Sequence, residues 1–228
     1  MGDCTVYGSG CLTYDDWKDM QHGTLGDPAT ADVLMVGDSI TNGGQQFITD
    51  ALAAAGITVC VDYWSSRPTT PPGGAMDRLL SYSRLYQPAP FKVVVGASGT
   101  NDIMVDPALM PACLKRLTDA GIASELLWVS IYAGRSATLT ADLRNTGWVN
   151  DAINRSGIEV IDWFEDMAEK PTRTSLYLRD GVHPKLPTVD GGAGYRHWAA
   201  VIAPQIIAAV ARFDARATAL KALKAAKA

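Results

Sequence analysis

The chain has 228 residues, is 47% hydrophobic and carries a formal charge of −4, with a pI near 5.3. That length supports one sizeable core rather than two. The acidic balance, with charges of both signs scattered along the chain, excludes the basic face that a nucleic-acid partner needs.

No apolar run reads as a membrane-spanning segment. The N-terminal MGDCTVYGSGCLTYDD lacks the basic and apolar regions of a signal peptide. The compartment stays open between cytoplasm, secretion and a virion surface, and nothing speaks to oligomeric state. Residues 1–30 read as an irregular extension with one short helix around YDDWKDM. Within it, Cys4 and Cys11 flank TVYGSG, a turn-rich loop short enough to close as a disulfide outside the cytosol, or to leave two free thiols. There is no C-x-x-C pair and no nearby histidine, which argues against zinc.

The main domain is expected over residues 31–214. Its first strand is DVLMVGD (32–38), followed by a helix in GGQQFITDALAAAG that Gly56 closes. Next come ITVCVDY (57–63), where Cys60 is a small buried hydrophobe, a Pro-rich loop, and a helix in GAMDRLLSYSRLY. KVVVGAS (92–98) leads to DPALMPACLKRLTDAG, a helix ending at Gly121. ELLWVSIYA (125–133) leads to a helix ending at Gly157, and IEVIDW (158–163) is the last strand. A long helix, AGYRHWAAVIAPQIIAAVARF, follows, bent or started at Pro204. Residues 215–228 read as a frayed Ala/Lys-rich helix end or tail. No strand alternates polar with apolar, as expected of strands buried on both faces. Strand–helix alternation predicts a parallel sheet between two helix layers.

In such sheets, ligands bind at the carboxyl ends of the strands. There the sequence places Gly37-Asp38-Ser39, Trp64-Ser65-Ser66-Arg67, Gly99-Thr100-Asn101-Asp102 and Asp180-Gly181-Val182-His183-Pro184. A serine hydroxyl needs a base. Of three histidines, His22 lies in the extension and His197 in the last helix, which leaves His183, with Asp180 three residues before it. Asn101 and the N–H of Ser39 are candidate oxyanion donors. Taken singly, DGVHP is a surface turn and GTND a β-turn; together on one rim they make a catalytic constellation. Asp38, Asp102 and Asp180 suggest a magnesium site less well than they suggest this one, so no metal and no cofactor is expected. No G-x-S-x-G, P-loop or dinucleotide fingerprint is present.

GDSIT, GTND and DGVHP, in this order and spread over most of the chain, resemble the SGNH (GDSL-type) hydrolase superfamily, nearest to bacterial cell-wall acetylesterase and O-acetyltransferase domains. The resemblance implies a flavodoxin-like three-layer α/β/α fold with five parallel strands in the order 2-1-3-4-5. It implies Ser39 as nucleophile, Asp180 and His183 as the rest of a triad, and Asn101 as an oxyanion donor. The family's glycine after the second strand has no obvious match; Ser66, nearer the strand end, is preferred, with Gly74 the alternative. The implied activity is hydrolysis of short-chain, acetyl-type carboxylic esters on cell-envelope carbohydrate or lipid. An O-acyltransferase with the same triad, or a virion or cell-surface glycan-binding module, are the other readings. Trp64 and Tyr132 are candidates for stacking on substrate, and Arg67 and Arg135 for meeting an anionic one. Each has a plain alternative, as core roof or ordinary exposed arginine.

Overall fold

A computed structural model describes residues 5–7, 10–12, 22–86, 91–102, 106–122, 125–134, 139–170, 172–186, 188 and 190–227. The helix expected around residues 14–20, Arg135 and the Cys4 side of the Cys4–Cys11 pairing lie outside them.

A small antiparallel hairpin pairs β1 (Thr5–Tyr7) with β2 (Gly10–Leu12). The main sheet contains β3 (His22–Leu25), β4 (Val33–Gly37), β5 (Val59–Trp64), β6 (Val93–Ala97), β7 (Leu126–Val129) and β8 (Glu159–Ile161). This corrects the expected five-stranded, wholly parallel sheet in the order 2-1-3-4-5. There are six strands in the order β3-β5-β4-β6-β7-β8, and edge strand β3 runs antiparallel to β5. The other pairings are parallel. Strand β3 escapes a search for apolar runs because HGTL is short, polar and only alternately half-buried. It falls in the stretch read as an irregular extension.

Burial on both faces explains the unbroken apolar strands. Val33 and Met35 of β4 join one core cluster, and Leu34 and Val36 the other. Helices α1 (Ser39–Ala53), α5 (Trp163–Glu169) and α7 (Ala193–Ala225) cover the first face. Helices α2 (Ala75–Leu85), α3 (Leu109–Ala120) and α4 (Leu139–Arg155) cover the second. A short α6 (Thr172–Tyr177) follows α5. Each fully buried aliphatic side chain of β4 contributes about 1.5–3 kcal/mol relative to leaving it exposed. Cys60 and Cys113 are free and buried, and burial pushes both thiols up to about 11.

Helix α7 differs from expectation in two ways. It runs unbroken through Pro204 and on to Ala225, taking in the stretch read as a frayed helix end or tail. By length and composition it is also apolar enough to cross a membrane, although the sequence was read as holding no such segment. Its apolar residues have another use here. Tyr195, Trp198, Ile202 and Ile206 are buried in the core against α1 and the sheet. Farther along, α7 is tied to residues at the amino ends of the strands. Asp214 meets Lys92 at 3.0 Å, Arg212 meets Glu159 at 2.5 Å, and Arg216 meets Glu125.

Candidate active site

Strand β4 ends at Gly37, and Asp38 caps the helix that follows. Its Oδ1 accepts from the N–H of Ile40 at 2.9 Å, and its carbonyl accepts from Asn42 at 2.9 Å. Ser39 is therefore the first residue of α1, where backbone N–H groups have no intrahelical partner and the helix dipole favours negative charge.

The base arrives 144 residues later. The segment after α6 folds back on itself: Lys185 N–H donates to Tyr177 O at 2.8 Å and Arg179 N–H to His183 O at 2.9 Å. At the tip, Asp180 Oδ1 accepts from the N–H groups of Val182 (3.0 Å) and His183 (2.7 Å), while Oδ2 lies 2.8 Å from His183 Nδ1. His183 Nε2 lies 2.8 Å from Ser39 Oγ. Burial alone would raise the Asp180 carboxyl, but the His183 and Val182 hydrogen bonds outweigh it and hold it below its usual value. An ionised carboxylate can only accept, so the Nδ1 proton sits toward Asp180 and Nε2 is left to accept from Ser39. Gly134 N–H donates to Gly181 O at 2.7 Å, which ties the loop after β7 to this tip.

Asn101 lies in a 3₁₀ turn (Thr100–Asp102) after β6. Its Nδ2 donates to Arg67 O at 3.0 Å and lies 3.4 Å from Asp38 Oδ2. Asp38 is buried, which pushes its carboxyl up to about 7; the hydrogen bond from Ile40 opposes this, and the nearby Asp102 charge adds to it. Asp102 is itself fully buried and accepts from Thr69 N–H (2.6 Å), Thr70 N–H (3.2 Å) and Thr70 Oγ1 (2.9 Å). It fixes the loop after β5 onto the Asn101 turn.

The two candidates for the missing glycine differ. Ser66 has φ 65°, the left-handed region that favours glycine, in a turn closed by Arg67 N–H to Trp64 O at 3.0 Å. Gly74 has an ordinary φ of −68° and caps α2. A Cβ there would stand 2.1 Å from Thr70 O, so close packing alone accounts for that glycine.

Arg67 is not the exposed arginine that its place at a loop start suggests. It is 3% exposed. Its Nη2 pairs with Asp62 at 2.7 Å, and its Nη1 donates to Gly37 O at 3.2 Å, bracing the ends of β4 and β5 together. Burial lowers the guanidinium's pKa, and Asp62 opposes that. The buried Asp62, which also holds Arg78 (2.6 Å) and Tyr82 (2.8 Å), went unnoticed in the sequence. The available signal was a lone carboxylate inside the apolar run VCVDY. Trp64 is half-buried and lines a pocket beside β3. The Tyr132 hydroxyl is bonded to Thr174 at 2.8 Å, and its ring packs near Phe164. Among the described residues, no group of three or more His, Cys, Asp or Glu could hold a metal ion.

No family model matches the chain, and no curated protein sequence matches it. Solved structures do match. A lipase/acylhydrolase from Enterococcus faecalis superimposes with TM-score 0.59 at 20% identity, covering 77% of this chain and 95% of that one. The C-terminal catalytic domain of peptidoglycan O-acetyltransferase A from Streptococcus pneumoniae gives 0.58 at 19%, covering 79% and 95%. A member of the lipolytic protein G-D-S-L family from Veillonella parvula gives 0.56 at 16%, covering 74% and 94%. The fold is that of the SGNH hydrolases. In this SGNH fold, the turns after β4, β5 and β6 are linked by direct hydrogen bonds: Asn42 Nδ2 to Ser65 Oγ (3.4 Å), Arg67 to Gly37 O, and Asn101 to Arg67 O. The His183 hairpin joins them through Ser39.

Proposed function

We propose that the chain is a serine esterase acting on short-chain, acetyl-type carboxylic esters, with carbohydrate or lipid carrying the acyl group. The continuous chain Ser39 Oγ–His183 Nε2, His183 Nδ1–Asp180 Oδ2, both links 2.8 Å, carries this reading. Ser39 Oγ attacks the ester carbonyl as His183 Nε2 takes its proton. The tetrahedral oxyanion is met by the N–H groups of Ser39 and Ser66 and by Asn101 Nδ2. His183 then gives the proton to the departing alkoxide, leaving an acyl group on Ser39. Water, deprotonated by His183, releases the acid by the reverse sequence. Asp180 stabilises the imidazolium formed in both halves and does not itself take the proton.

Treatment with a fluorophosphonate probe, with hydrolysis of p-nitrophenyl acetate measured alongside, tests this. The expected result is one label on Ser39 and ester hydrolysis that disappears with it. Labelling of a Ser39→Ala protein would put the nucleophile elsewhere. Adding acceptor sugars to the same assay shows whether a hydroxyl competes with water for the acyl group.

A further inference from the structure

Edge strand β3, strand β5 and helix α2 enclose a pocket of about 490 Å³, a size ordinary for small-ligand sites. Strands β3 and β4 flank β5 on opposite sides. The pocket therefore sits one to two strand spacings, roughly 5–10 Å, from the end of β4 that carries Ser39. Its position suits a part of the substrate other than the reacting ester.

Its chemistry narrows the occupant. Trp64 supplies an aromatic face, and His22 tilts against it with ring centres 6.1 Å apart. Gly73 crowds Trp64 little, since even a Cβ there would stand 3.5 Å from its ring. The opposite wall is polar. Arg78 uses Nε on Asp62 and Nη2 on the Tyr82 hydroxyl, leaving Nη1 without a partner among the described residues. Asp77 Oδ2 accepts from Gly73 N–H at 3.0 Å, leaving Oδ1. Ser81 donates to Asp77 O at 2.9 Å and keeps its acceptor capacity. One donor beside two acceptors, opposite an aromatic face, matches a sugar ring with neighbouring hydroxyls on its edge and C–H groups on its face. The charges lining the pocket cancel, Arg67 and Arg78 against Asp62 and Asp77. Arg67 and Arg78 are both ion-paired with Asp62, and Asp77 Oδ1 repels a carboxylate.

The geometry points to this pocket as a subsite for a neutral sugar ring in the alcohol portion of the ester. It rests on the esterase reading and commits it to uncharged glycans. The test is titration of Ser39→Ala protein with a neutral xylo-oligosaccharide and a galacturonate oligomer of equal length, followed by tryptophan fluorescence and calorimetry. The neutral oligomer is expected to bind about tenfold or more tightly than the anionic one. Ser81→Trp, which fills the pocket, is expected to weaken neutral binding by about tenfold with an unchanged circular dichroism spectrum. Asp77→Asn, a milder change, is expected to narrow the discrimination against galacturonate. Equal or tighter galacturonate binding, no neutral binding, or indifference to both substitutions would each overturn the subsite. Fluorophosphonate labelling of wild type keeps the two readings apart. Labelling without sugar binding removes the subsite alone; sugar binding without labelling removes the esterase.

Discussion

Two histidine–aspartate pairs occur among the described residues, and they sit in different surroundings. His183 Nδ1 lies 2.8 Å from Asp180, and His197 Nε2 lies 2.6 Å from Asp166. The two rings are almost equally exposed, 18% and 20%. Their surroundings differ. His183 points its second nitrogen at the hydroxyl of Ser39. His197 stacks flat on Tyr177, with centroids 3.9 Å apart and planes 10° apart, beside Trp163. Its carboxylate is shared with Arg173 at 2.5 Å, which already neutralises it. A His–Asp contact therefore does not by itself make a base. What sets His183 apart is its second nitrogen, directed at a serine hydroxyl on the rim of the sheet.

The sharpest way to break this contrast is to remove each ring. His183→Ala and Ser39→Ala are each expected to lower kcat by on the order of 10⁴ or more, and the double variant by little beyond that, because the residues act as a unit. Steady-state rates with p-nitrophenyl acetate check this, and substantial activity in His183→Ala would dissolve the triad. Asn101→Ala comes next. Loss of one oxyanion donor is expected to lower kcat by about 10²–10³ with little change in KM. A normal kcat with raised KM would instead make Asn101 a ground-state contact. His197→Ala is expected to leave kcat within about threefold and to cost about 1–2 kcal/mol of stability in urea melts, through lost packing and hydrogen bonding. A large kcat loss at unchanged stability would erase the distinction between the pairs.

The smallest effect concerns pH. Burial pushes the folded Asp38 carboxyl up to about 7, well above its ordinary value. Between those values the folded state holds a proton that the unfolded state has released, so this group lowers stability as pH rises through the interval. Asp180, held low, acts oppositely: its contribution is present above the unfolded value and is lost as pH falls through the folded one. Asp38→Asn should remove the first slope and leave the second, as read from denaturation midpoints across pH.

Much of the rim was legible because polar residues interrupt apolar strands at their ends. GDS, GTND and DGVHP are conspicuous against Val- and Ile-rich neighbours, and the structure brings Ser39, His183 and Asp180 into one hydrogen-bonded chain and Asn101 onto the adjoining turn. What escaped notice depended on partners rather than residue types. Arg67 looks exposed in WSSRP, and its burial follows only from where Asp62 and the Gly37 carbonyl come to lie. Strand β3 has no apolar pattern of its own, and its pairing is supplied by the unsatisfied edge of β5. The last turns of α7 carry little core-facing apolar surface, so the sequence left them open between helix end and tail. Their partners, Lys92, Glu125 and Glu159, are scattered over separate strand beginnings.

The 144-residue separation of Ser39 from His183 bears on how activity appears during folding. The sequence between the hydroxyl and the imidazole holds most strands of the sheet, and the His183 hairpin lies just before α7. Contacts of such long range are slow to form, because their loop-closure entropy is lost before they return any stabilisation. An N-terminal fragment ending before α6 would contain Ser39 and every strand of the main sheet, yet lack His183. Recovery of fluorophosphonate labelling at Ser39 after dilution from denaturant is then expected to trail the recovery of secondary structure.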